Sequence, residues 1–116
     1  MFAALAKGDT AAMRATFYPE ARVVQTGVRD GKRFYHVNAI DDFLKAVGGA
    51  AGKKLEEQII APAAQVDDNL AVVWARYRFL VDGKASHCGV DSYQLVRSDA
   101  GWKLLHIVDT QRACGK

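Results

Sequence analysis

The sequence predicts an α+β fold, and three observations carry that reading. Helical periodicity is confined to the first half of the chain, most clearly at Ile40, Phe43, Leu44 and Val47. From Leu55 to Thr110 the pattern turns extended, in runs rich in Val, Ile, Tyr and Trp. Asp82-Gly83 and Ser98-Asp99-Ala100-Gly101 separate the later runs, and both are short enough to join neighbouring antiparallel strands. Helices followed by an antiparallel meander pack as segregated layers.

In chain order, residues 1–8 read as the last two turns of a longer helix, truncated at its start and ended by Gly8. Asp9 is the N-cap of a second helix running to about Phe17, with the exit at Pro19. Arg22–Thr26 and Lys32–Val37 form a hairpin about Asp30-Gly31. Asn38 is the expected N-cap of a third helix, which Gly48-Gly49 ends. Leu55–Ile60 is a strand stopped at Pro62, and Leu70–Val81, Ala85–Arg97 and Trp102–Thr110 are the meander.

A chain of 116 residues, half of them apolar, makes one domain over 1–116 with a single core. Sixteen basic and thirteen acidic residues leave a net charge of +3 without a block of one sign, which argues against a nucleic-acid groove. No apolar run approaches the ~18 residues of a membrane span, and no secretory leader is visible. The expectation is a soluble, cytoplasmic protein with no membrane partner. Cys88 and Cys114 make no C-x-x-C motif and are expected reduced, with Cys88 a small core residue. His36, His87 and His106 have no ligand spacing, so neither a metal nor another cofactor is expected.

The informative residue is Asp91, an acid inside a greasy strand. A simple two-residue turn at Asp82-Gly83 places Trp74 opposite Asp91, Arg76 opposite Gly89 and Arg78 opposite His87. The next hairpin places Tyr93 opposite His106 and Asp91 opposite Val108. One face then carries Trp74, Arg76, Arg78, His87, Asp91, Tyr93, Leu104 and His106, and Asp109 falls on the other. An unpartnered buried carboxylate costs several kcal/mol, so Asp91 needs a proton, a hydrogen bond or a cation, and Arg76 is the expected ion-pair partner. Both sheet faces need cover; helices supply one, and a second copy on the outer face is the expected cover for the other.

A-A-L-A-K-G-D (3–9), F-Y-P-E-A-R-V (17–23), N-A-I-D-D-F-L (38–44), G-V-D-S-Y-Q-L (89–95) and G-W-K-L (101–104) occur in an order and spacing that resembles the nuclear transport factor 2-like superfamily. That superfamily includes ketosteroid isomerases, SnoaL-type cyclases, dehydratases and binding domains without catalysis. The resemblance implies a cone-shaped α+β roll around a pocket. By its place in G-V-D-S-Y, Asp91 looks like the protonated aspartic acid of the isomerase oxyanion hole. The family's tyrosine falls at Met1 and its base at Gln25, and neither side chain can do that work.

The sequence therefore supports a small-molecule binding domain whose mostly apolar pocket is floored by Asp91 and lined by Trp74, Arg76, Tyr93, His87 and Leu104. The alternative is a cofactor-independent lyase, cyclase or isomerase-type enzyme using Asp91 and His106 as acid and base. A third reading is an interaction domain whose own side chains fill the hollow.

Overall fold

Asp9 caps its helix as expected: in a computed structural model, which describes Leu5 and residues 9–49 and 52–115, its side chain accepts from the Ala12 amide at 3.0 Å. Helix α1, Thr10–Arg14, is shorter than expected, and Phe17 already opens strand β1, Phe17–Arg29. The helix expected over residues 1–8 lies outside the described residues except for Leu5, which is helical and buried. A turn at Asp30-Gly31, both at positive φ, leads into β2, Lys32–Ala39. Asn38 pairs with Val23 in that hairpin instead of capping a helix. Helix α2, Ile40–Gly49, starts two residues later, with Asp41 and Asp42 in its first turn, where acids suit the helix dipole.

Four strands follow: β3, Leu55–Asp67; β4, Leu70–Val81; β5, Lys84–Ser98; and β6, Gly101–Gln111. β3 runs past Pro62 because a register shift between Ile60 and Ala63 absorbs the proline at the edge of the sheet. The six strands form one sheet in the order β2-β1-β6-β5-β4-β3. The expected all-antiparallel sheet is in fact mixed, since β1 runs parallel to β6.

Ile40, Leu44 and Val47 lie on one stripe of α2 and are buried. They join Leu5, Met13, Phe17, Val23, Tyr93, Leu104 and Ile107 in the core, so the helices cover one face of the sheet. A buried Leu or Ile contributes roughly 2 kcal/mol, and this stripe is what fixes α2 to the sheet. No helix among the described residues covers the other face. One row crossing it reads Val37, Val24, Val108, Ser92, Trp74 and Ala63 through successive strand pairs. No helix among the described residues is long and apolar enough to cross a membrane.

Two one-residue bulges decide which side chains share the covered face. Phe79 pairs with His87 while Leu80 pairs with Ala85, leaving Ser86 extra in β5. Gln94 pairs with His106 while Leu95 pairs with Leu104, leaving Leu105 extra in β6. Each extra residue reverses the facing of everything beyond it. Asp91 therefore lies opposite Ala75 and Asp109, not Trp74 and Val108.

The cysteines also differ from expectation. Beyond β6 the chain stays against β5, with the backbones of Cys88 and Arg112 bonded both ways at 2.9 Å. That pairing brings Cys114 to a Cα separation of 4.9 Å from Cys88, and the two form a disulfide. A link across a sequence separation of 26 stabilises by about 3 kcal/mol through loss of unfolded-chain entropy.

Candidate functional site

The covered face does not close completely against the helices. A cavity of about 250 Å³ remains, walled by apolar groups from both helices, including Met13, Phe43 and Val47, and by Val23, Leu55, Phe79 and Ile107 from the sheet. Its polar groups come from five strands: Gln25 on β1, Glu57 on β3, Tyr77 on β4, His87, Asp91 and Tyr93 on β5, and Asp109 and Gln111 on β6. Asp91 is 2% exposed, the buried charged residue among those described.

The strand registers explain this convergence. Gln25 pairs with Asp109, and Asp109 with Asp91, so three polar side chains stand in one row pointing inward. Glu57, Phe79 and His87 make a second row nearby. Tyr93, two residues along the same side of β5, donates its hydroxyl to Asp91 Oδ2 at 2.8 Å. Tyr77 reaches across and donates to the Thr110 carbonyl at 2.6 Å.

Three carboxyl groups in one cavity cannot all be ionised cheaply. Burial, a hydrogen bond with Asp91 and the negative charges of Asp91 and Asp109 push the Glu57 carboxyl up to about 10, so Glu57 carries a proton at neutral pH. Burial and the Asp91 charge push Asp109 up to about 7, against a hydrogen bond from Gln111. Burial also raises the Tyr93 and Tyr77 phenols, which remain hydrogen-bond donors. His87 stacks on Phe79 at 5.1 Å and meets Tyr77 edge-on at 5.7 Å. Burial lowers its pKa more than the Asp91 charge raises it, so the imidazole is neutral at pH 7. Asp109 Oδ1 is buried and has no hydrogen-bond partner among the described residues.

Of the residues expected at the site, Asp91, Tyr93 and His87 line the cavity. Leu104 is buried in the adjoining core. Trp74 and Arg76 are exposed on the other face, and His106 pairs with Gln94 on that same side. The expected Asp91-Arg76 ion pair is therefore absent: Arg76 pairs with Val90 because of the Ser86 bulge. The convergence of Asp91 and His106 fails likewise at the Leu105 bulge. Sequence reasoning missed Glu57, Tyr77 and Asp109. The first lies in L-E-E-Q-I-I, where either alternation buries apolar residues and the parity of the strand is undecided. Among the described residues, no His, Cys, Asp or Glu cluster is arranged to hold a metal ion.

The SnoaL-like domain profile matches residues 1–109, nearly the whole chain. The chain belongs to the SnoaL-like family. The SnoaL-like fold recurs in solved structures. A candidate dehydratase of the nuclear transport factor 2-like family from Streptomyces avermitilis superposes with a TM-score of 0.69 at 14% identity, over 97% of this chain and 88% of that one. A nuclear transport factor 2-like protein from Cytophaga hutchinsonii gives 0.74 at 10% identity, over 95% and 88%. Another, from Silicibacter pomeroyi, gives 0.65 at 18% identity, over 96% and 86%. At these identities the likeness is one of fold. Among curated proteins, none matches the chain.

Proposed function

We propose that this SnoaL-like domain binds a small, largely apolar molecule that presents a polar group to Asp91. The observation that carries this reading is the cavity itself, about 250 Å³ of mostly apolar wall ending on a buried acid. The test is native mass spectrometry of what co-purifies. Asp91→Asn is expected to lose at least about 90% of the retained molecule, because the amide presents a donor where the carboxylate accepts. Val47→Phe, which fills the cavity from α2, is expected to lose all of it while the fold persists. Full retention in both variants sinks the proposal.

A second reading is an acid–base lyase or cyclase, favoured by the proton that Glu57 holds beside Asp91. In that reading Glu57 and Asp109 replace His106 as the proton-carrying partners of Asp91, since they share its cavity. An activity that survives Glu57→Gln and Asp109→Asn excludes it.

The outer face supports a homodimer. Trp74 is 59% exposed, Val37 51% and Val108 41%, and strand pairing places them in one row. An exposed apolar row of this kind is covered most simply by its own copy about a two-fold axis. Trp74→Glu is expected to halve the mass seen by light scattering, and an unchanged mass removes the dimer.

A further inference from the structure

We propose that the cavity selects a cation, a protonated amine on an apolar frame, with the ammonium seated among Asp91, Asp109 and Glu57. The inference rests on the reading of the cavity as a ligand pocket and names the chemical class of its occupant. Three carboxyl groups from three different strands open into it, and among the described residues no Lys or Arg lines its wall. Arg112, whose charge is felt at Tyr77, is itself exposed, with its guanidinium 3.4 Å from Thr110 Oγ1. An anionic guest would meet the negative charge of the acid cluster and no cation to offset it.

Hydrogen bonding argues the same way, independently of charge. Asp109 Oδ1 is buried and lacks a donor among the described residues. A ligand carbonyl offers no donor and a hydroxyl offers one, whereas a primary ammonium offers three. The Tyr77 and Tyr93 hydroxyls are already engaged with the Thr110 carbonyl and with Asp91. Their rings, with those of Phe43 and Phe79, remain as aromatic wall, a surface that attracts a desolvated cation.

The groups facing Asp109 set how binding responds to pH. They are Asp91, Tyr93 and neutral His87 from β5, Glu57 from β3, Tyr77 from β4 and the uncharged Gln25 from β1; α1 and α2 contribute Met13, Phe43, Ala46 and Val47. An ammonium favours the ionised carboxylate, so its arrival drives the Asp109 proton into solution. Affinity for an amine should therefore rise by about tenfold between pH 5.5 and 7.5. A neutral guest that accepts a hydrogen bond from the protonated acids would show the opposite slope.

The experiment titrates 2-phenylethylamine, 2-phenylethanol and phenylacetate calorimetrically at both pH values, in two buffers of different ionisation enthalpy. The expected result is amine binding at least about tenfold tighter than the alcohol at pH 7.5, no phenylacetate binding, and proton release with the amine alone. Asp109→Asn is expected to abolish the pH slope and to weaken the amine more than the alcohol; Asp109→Ser, which also removes the titrating carboxyl, serves the same comparison if that variant does not fold. Alcohol or phenylacetate binding as tight as the amine, or an amine affinity flat or falling with pH, overturns the cation and leaves the pocket standing. Failure of all three compounds, with Val47→Phe retaining whatever co-purifies, overturns the pocket as well.

Discussion

Gly89→Ala is expected to destabilise the domain by about 3–4 kcal/mol, or to prevent its folding. A Cβ at position 89 would lie 1.9 Å from the Thr110 carbonyl oxygen and 2.8 Å from Thr110 Oγ1. The obstacle includes backbone, which cannot rotate aside as a flexible side chain can. Thr110 is also committed on both sides: its carbonyl accepts from Tyr77 at 2.6 Å and its hydroxyl from the Val90 amide at 2.9 Å. The close approach occurs where the β5-β6 ladder stops at Asp91 and Asp109 before resuming at Cys88 and Arg112. Moving Thr110 therefore displaces the Tyr77 partner and the strand that carries Asp109. Urea unfolding is the measurement, with Gly49→Ala as control, since a Cβ there meets nothing within 4 Å. A Gly89→Ala protein within about 1 kcal/mol of the parent would show that the strands do not cross so closely.

Raising the pH from 5 to 9 is expected to destabilise the native chain, the reverse of a protein held by carboxylate ion pairs. Glu57 and Asp109 have folded-state pKa values raised to about 10 and about 7 from ordinary values of 4.5 and 3.8. The folded state thus holds more protons than the unfolded one across that interval, and the slope of unfolding free energy against pH is negative. The stabilisation is complete below pH ~4 and is lost through about 7 for Asp109 and onward to about 10 for Glu57. Each proton withheld amounts to about 1.4 kcal/mol per pH unit. Glu57→Gln keeps a donor beside Asp91 but cannot ionise, so it should flatten the decline above pH 7 and exceed the native chain in stability at pH 9. Thermal melts from pH 5 to 9 decide it. A melting temperature that climbs with pH would mean that the cluster is ionised and solvated.

Much of the fold was legible because its signals are local. Asp9, the Asp30-Gly31 and Asp82-Gly83 turns and the Ile40-Leu44-Val47 stripe each declare their element within a few residues. The site was half legible for a related reason. Asp91, Tyr93 and His87 alternate along one strand, and their common facing survives any error in pairing. Partners across the sheet depend on register, and a single extra residue at Ser86 or Leu105 exchanges Arg76 and His106 for Tyr77 and Asp109. Nothing in K-A-S-H-C or K-L-L-H-I marks a bulge, because the extra residue is a choice of the assembled sheet. The disulfide was hidden likewise: only the tail's return along β5 brings Cys114 to Cys88.

The sheet order has one more consequence, for how the chain is made. β1 and β2 join the other strands through β6 alone, and β6 is the last strand of the domain to leave the ribosome. Until residues 101–111 emerge, the N-terminal hairpin has an open flank, and the nascent meander ends in an unsatisfied edge. Folding must wait for that distant pairing, which makes it slow for so short a chain.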